Sequence, residues 1–261
     1  MSLGKIEALY RYPVKGLPGQ PMMRISLTAG RPIAHDRRFA VCNGDIEFEE
    51  GKPHWVRRGN FLQVASNANM VTVSAEHRPE EDFLRLERDG EEVFAGHLGS
   101  PNEARRLEAV LSALVPGEEL RGATRLVEIP PKPEGEEGQA FADTPQPHIS
   151  IINLGTVRAV AEIVGASLDE RRFRGNIYIE APPWSEFEWI GRTLAIGDAR
   201  LEVTSRIGRC AATNVNPVSG VRDQNLPQAL RRSFGHADCG IYTIVTRDGE
   251  IEVGASLNLA S

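Results

Sequence analysis

The feature that most narrows the fold is a succession of short runs with period-two alternation, unbroken by any helical pattern, across the first hundred residues. LGKIEALYRYPV places Ile6, Ala8, Tyr10 and Tyr12 on one face of a strand, MMRISL repeats the alternation at Met23, Ile25 and Leu27, and RFAVCN, FLQVA and MVTVSA follow. DFLRLERDGEEVFAGHL reads as a hairpin whose two-residue turn is Asp89 and Gly90. Short strands without crossover helices argue for a barrel or a strongly curved sheet rather than a parallel α/β layer.

A helical pattern first appears at SPNEARRLEAVLSALVPG. Ser100 is placed to cap it, Pro101 suits the first turn, Glu103 completes a capping box, and Ala104, Leu107, Leu111 and Leu114 form an apolar stripe ended by Pro116 and Gly117. After a short strand, RLVEI, the stretch PPKPEGEEGQAFADTPQP marks a long surface segment rich in Pro, Gly and acid. The second half mixes periods. NLGTVRAVAEIVG carries Val157, Val160, Ala161 and Val164 at helical spacing and stops at Gly165. ERRFRGNIYIEA, RTLAIGDARLEVTSRI and a hairpin GIYTIVTRDGEIEVGAS, turning at Asp248 and Gly249, supply strands, with a short helix near PQALRRSF. The expected class is mainly β with some helix (α+β): a β-barrel-like lobe over residues 1–122 and a second β-rich lobe, decorated with helices, over residues 123–261.

At 261 residues the chain can bury a core in each of two lobes. A net charge of -6 and a pI near 5.6 give no basic excess of the kind nucleic acid requires. MSLGKIEALYRYPVKG lacks the apolar core of a signal peptide, and no apolar run approaches a membrane span, so a soluble, cytoplasmic protein without a membrane partner is expected. Cys42, Cys210 and Cys239 form no CxxC pair, which leaves three individual thiols. Cys42 ends an apolar run and Cys239 opens one, the pattern of small core residues; Cys210 heads RCAATNVNPVSGVRD, between a strand pattern and a loop, where a thiol can meet a ligand.

The other candidates have bland readings taken singly. Arg171, Arg172 and Arg174 in RRFRGN suit a phosphate or a solvated basic turn, and the motif alone favours the turn. Lys15 in YPVKG reads as a surface lysine or an anion contact, Asp36, Arg37 and Arg38 as a surface salt bridge, and Asp143 and Thr144 as turn formers. Six scattered histidines lack metal-ligand spacing, and no GxSxG, HExxH, P-loop or GxGxxG occurs, which argues against serine hydrolases, zincins and nucleotide enzymes. Trp184 and Trp189 read as packing residues.

In order, RRFRGNIYIE, WIGRTLAIGDARLEV, GRCAATNVNPVSG, ALRRSFG and GEIEVGASL resemble the MOSC domain of molybdenum-cofactor sulfurase C-termini and of the amidoxime-reducing component family. LYRYPVKG and HDRRFAV resemble the β-barrel domain that precedes MOSC in those proteins, so the likeness covers nearly the whole chain. It implies a molybdenum-pyranopterin cofactor with Cys210 as the metal's protein thiolate, a soft ligand suited to such a metal. It also implies cofactor contacts from Lys15, Arg37, Arg174 and Arg209, with Asn176, Asp143 and Thr144 as polar contacts. Four cations converging on an anionic group would share one purpose.

Two departures qualify the likeness. Gly16 stands where the family commonly has serine. Neither an iron–sulfur cysteine cluster after Leu259 nor an aminotransferase-like, pyridoxal-phosphate domain is expected, and electrons are expected from a separate ferredoxin-, flavoprotein- or cytochrome-type donor. The implied activity is reduction of small N-hydroxylated compounds. The alternative is a carrier of the cofactor or its sulfur without substrate turnover.

Overall fold

The computed structural model describes residues 2–45, 55–129 and 141–260; His54 and much of the acidic segment after RLVEI lie outside them. The first half contains β1 (Gly4–Arg11), β2 (Gln20–Met22), β3 (Arg24–Leu27), β4 (Phe39–Asn43), β5 (Ser74–Arg78), β6 (Phe83–Arg88), β7 (Glu91–His97), α1 (Pro101–Ala113) and β8 (Thr124–Glu128). The second contains β9 (Ile149–Asn153), α2 (Leu154–Val164), β10 (Ile177–Glu180), β11 (Thr193–Ile196), β12 (Ala199–Gly208), α3 (Leu226–Phe234), β13 (Asp238–Arg247), β14 (Gly249–Glu252) and β15 (Ser256–Leu259). The class is mainly β with some helix, as the alternation implies.

Strands β10, β9, β13, β12, β11, β15 and β1 hydrogen-bond in that order, and β1 returns to β10, closing a seven-stranded barrel. Closure leaves no edge among these strands, and the inward residues Ile6, Leu9, Ile151, Leu194, Leu201 and Ile241 fill the interior. The first half adds a meander of β5, β6 and β7 and a β4–β8 pair, packed around Leu107 and Leu111 of α1 and Leu114 just beyond its end. Strand pairing crosses the expected boundary near residue 122 in both directions: β1 is a stave of the barrel, β3 pairs with β14, and β8 pairs back with β4. The two halves are therefore stitched by backbone hydrogen bonds, which fixes the cavity between them.

Local sequence rules hold where the backbone is regular and fail where it is not. In β1 the register against β10 slips between Ile6 and Ala8, so the four residues expected on one face divide. Ile6 joins Leu9 inside the barrel, while Ala8 and Tyr10 pack outside against the Tyr178 cluster. Met23 lies between β2 and β3 and is 76% exposed, leaving Ile25 and Leu27 to face the core. FLQVA forms only a bridge at Phe61, and MVTV falls largely in a 3-10 turn over Ala68–Thr72. Ser100 stands at the start of α1 without a side-chain cap and Glu103 pairs with Arg106, so the expected capping box does not form.

The two Asp-Gly pairs diverge most. Asp89 and Gly90 have φ of 53° and 82° and join β6 to β7 as a tight hairpin. Neither Asp248 nor Gly249 has positive φ, so the expected hairpin does not form and β14 crosses to pair with β3. Asp248 Oδ1 accepts from Ala29 N at 2.8 Å, and a Cβ at Gly249 would lie 2.4 Å from Ala199 N. Glycine is needed there for close approach rather than for a turn.

Candidate functional site

A cavity of about 300 Å³ opens between the two halves, and Lys15, Arg37, Asp143, Thr144, Arg174, Asn176, Arg209 and Cys210 all line it. Lys15 follows β1 on a segment pinned by its own N–H to Phe39 O at 2.8 Å. Lys15 is 6% exposed, and its ammonium donates to Phe141 O at 2.8 Å and Asp143 Oδ1 at 2.9 Å. Burial pushes the lysine down from its ordinary range while Asp143 pulls it back up. Asp143 feels an upward push from desolvation, but Lys15, then Arg37 and Arg58, hold it at about 2. Gly16 has φ of 89°, and a Cβ there would sit 2.9 Å from Leu62 O, so the chain presents bare backbone beside Lys15.

Asp36 is buried, not part of a surface pair. It accepts from Tyr12 N at 2.7 Å and Asn176 Nδ2 at 3.2 Å and pairs with Arg37. The Arg37 guanidinium lies 4.5 Å from the Tyr12 ring centroid and donates to Arg174 O at 3.3 Å. Arg174 also rests on Tyr12, at 4.7 Å, and donates to Leu17 O at 2.7 Å. Burial pushes the Tyr12 phenol up to about 12 against the pull of Arg174 and Arg37, so it stays neutral while its hydroxyl donates to Gly175 O. Arg37 and Arg174 both adopt left-handed backbone, at φ of 49° and 51°, a strain the surrounding bonds must offset.

Asn176 lines the same wall, but its amide is fully engaged. Nδ2 donates to Tyr10 O and Asp36, and Oδ1 accepts from the Ser150 N–H and hydroxyl. Its place in the wall is that of a strut for Asp36.

Across the cavity, Arg209 leaves the end of β12 and donates to Cys239 O at 2.7 Å and Phe173 O at 2.9 Å. Among the described residues neither Arg174 nor Arg209 has a carboxylate partner. Cys210 follows in extended conformation, partly exposed, at the head of a 3-10 turn over Ala211–Asn214, with its carbonyl accepting from the Thr213 hydroxyl at 2.9 Å. Cys239 is wholly buried, and desolvation pushes its thiol up to about 12; Cys42 is buried in β4. Arg222 ties the loop after Cys210 to the opposite wall by donating to Ala65 O at 2.9 Å.

Two lining residues, Arg58 and His148, escape the sequence patterns, and Arg172 departs from the basic-turn reading. RRFRGN is not a uniform basic turn: Arg171 is exposed against Asp169, Arg172 is buried against Asp223 at 2.8 Å, and only Arg172 and Arg174 reach the cavity. Arg58 opens a short 3-10 turn over Arg58–Asn60 that no sequence pattern marks. His148 stands at the head of the apolar run ISIIN, which was its only signal. Among the described residues no group of three or more His, Cys, Asp or Glu could hold a metal, and no helix is long and apolar enough to cross a membrane.

Residues 139–258 match the MOSC domain model and residues 3–120 the MOSC N-terminal beta barrel domain. The chain is similar to mitochondrial amidoxime-reducing component 1 of Homo sapiens, at 24% identity over 97% of this chain and 82% of that protein. It is also similar to molybdenum cofactor sulfurase of Caenorhabditis elegans, at 23% identity over 97% of this chain, and spans 35% of that protein's length. Among solved structures, the YUAD protein from Bacillus subtilis aligns over 97% of this chain and 93% of its own at 16% identity, with a TM-score of 0.44. Matched in order by the two domain models, the chain belongs to the MOSC domain proteins, with a MOSC N-terminal β-barrel domain ahead of the MOSC domain.

Proposed function

We propose that this protein is a molybdenum-cofactor-dependent reductase of N-hydroxylated compounds, and that the cavity between its halves holds the pyranopterin and its phosphate. The observation that carries the reading is the character of the lining: six cationic side chains against two carboxylates, both already paired, beside one partly exposed thiol. A surplus of fixed positive charge suits an anionic ligand, and forked guanidiniums suit phosphate. With no three-residue metal cluster among the described residues, Cys210 would give one soft bond to a metal whose remaining ligands arrive with the pterin.

In this reading Lys15, Arg37, Arg174 and Arg209 hold phosphate and pterin, Asp143 and Thr144 make polar contacts, and Asn176 steadies Arg37 through Asp36. The domain division falls near residue 122. When bound, the cofactor supplies the two-electron redox change at which the N–O bond breaks. The chain's own work is to bind, orient and surround the reactants with fixed charge. Electrons come from a separate ferredoxin-, flavoprotein- or cytochrome-type protein. The human relative, by its name an amidoxime-reducing component, supports the choice of substrate class.

Protein loaded with cofactor and supplied with a chemical reductant is expected to convert an amidoxime to the amidine, and Cys210→Ser to abolish that. A fully loaded protein that reduces no N-hydroxylated compound would sink the reading. The nematode relative, a cofactor sulfurase, motivates the alternative of a carrier. Transfer of cofactor or its sulfur to an apo-enzyme, without turnover of its own, is the outcome that would favour it.

A further inference from the structure

Behind Thr144, a polar contact in the cofactor reading, the cavity wall holds groups that the reading leaves without a role. The Thr144 hydroxyl lies 2.9 Å from His148 Nδ1, and His148 Nε2 lies 3.3 Å from the Thr204 hydroxyl. The imidazole stacks flat on Tyr242, with ring centroids 4.7 Å apart and planes 12° off parallel. Thr144, His148 and Tyr242 all line the cavity, and His148 is the one histidine among the described residues that does so.

The hydroxyl contacts allow two tautomers of His148, and the relay uses one of them. In that tautomer the Thr204 hydroxyl donates to Tyr242 O at 3.2 Å and accepts from Nε2–H, at 3.3 Å. Nδ1 is then the acceptor, and the Thr144 hydroxyl donates to it; the alternative acceptor, Gln146 O, is farther, at 3.4 Å. A second proton on the ring can enter only at Nδ1. When it does, Nδ1–H donates to Thr144, and the threonine's own hydrogen is released toward an acceptor in the cavity. A hydroxyl, an imidazole and an orienting group in a row is the geometry of a proton relay.

We propose that Thr144 and His148 deliver a proton to the departing oxygen of the N-hydroxylated substrate. This rests on the reductase reading given above. The overall change is R₂N–OH plus two electrons and two protons to R₂N–H and water: the N–O bond breaks, one O–H and one N–H bond form, and the substrate nitrogen is reduced. The electrons come from the redox-partner protein through the cofactor. One proton passes from imidazolium Nδ1 to Thr144 while the Thr144 hydrogen passes to the leaving oxygen, and the other comes from solvent. Burial lowers the pKa of His148 below that of a free imidazole, which makes its imidazolium a readier donor. Around the ring, β12 presents Thr204 and β13 presents Tyr242. Asp143 adjoins Thr144 in the chain, and Lys15, Arg37, Arg58 and Arg209 stand in the same wall.

Two measurements test this. Nitrogen-15 NMR of the protein without cofactor is expected to show neutral His148 with its hydrogen on Nε2, and Thr144→Val to shift the Nδ1 resonance; a hydrogen on Nδ1 would overturn the relay. In the loaded enzyme, His148→Gln is expected to lower kcat about 100-fold with little change in KM. It should also erase the decline of kcat as pH rises through the His148 pKa. Thr144→Val should do the same and Thr144→Ser restore most of the rate. A wild type that turns over while His148→Gln keeps its rate and pH profile defeats the relay alone. A loaded wild type that turns over no N-hydroxylated compound defeats the reductase reading and the relay together.

Discussion

Lys15 and Arg37, from the first half of the chain, each sit in an ion pair, with Asp143 and Asp36. Arg174 and Arg209, from the second half, donate to the carbonyl oxygens of Leu17, Phe173 and Cys239 instead. A carboxylate partner cancels a cation's charge, whereas a carbonyl dipole orients a guanidinium and leaves its charge whole. The first pair thus has its charge compensated in place, and the second keeps net charge facing the cavity. The difference teaches that four basic residues converging on one site need not act alike: the first pair acts mainly through geometry, the second mainly through field.

The comparison can be broken by exchanging these roles. Arg174→Ala and Arg209→Ala remove uncompensated charge, so each should weaken cofactor retention about 10- to 100-fold, from the 1.5–3 kcal/mol of a charged hydrogen bond. Metal content after dialysis reads this. Lys15→Met should weaken retention too, partly because it leaves Asp143 charged and unpaired. Adding Asp143→Asn should recover part of that loss, whereas no carboxylate substitution should rescue Arg209→Ala. Equal rescue on both walls would erase the distinction.

Two smaller effects sharpen it on the first wall. Gly16→Ser meets both a φ of 89° and Leu62 O, and should lower stability by about 1–3 kcal/mol in denaturant melts. Asp143 is held at about 2 against an ordinary 3.8. A depressed carboxylate stabilises fully above its unfolded value, and that contribution is lost as pH falls from about 4 toward 2. Its side chain is 48% exposed, so screening leaves no more than about 1 kcal/mol. Wild type should therefore lose slightly more stability over that window than Asp143→Asn.

How much of this was legible in the sequence depended on whether a local rule governed the position. The helix at Leu154–Val164 was readable from Val157, Val160 and a glycine stop, because its buried stripe and αL cap are local facts. The slip in β1 was not, since a bulge against β10 depends on a partner some 170 residues away. Asp-Gly predicts a turn only if both residues take positive φ, and at Asp248 tertiary packing of Gly249 on Ala199 decides otherwise. In the site, Lys15, Arg37, Arg174 and Cys210 stood out through a family likeness that spans the chain. Asp36 looked like a surface charge because nothing local reveals that Tyr12 and Asn176 enclose it. His148 had no motif at all; its partners Thr144, Thr204 and Tyr242 converge from separate strands and loops.

The central claim is that the cavity holds a molybdenum cofactor through the Cys210 thiolate. X-ray absorption at the molybdenum edge of loaded wild type and loaded Cys210→Ser tests it most directly. The account predicts one sulfur ligand fewer on the metal in the variant. The same sulfur coordination in both proteins, or no molybdenum in a wild type purified with abundant cofactor, would contradict it.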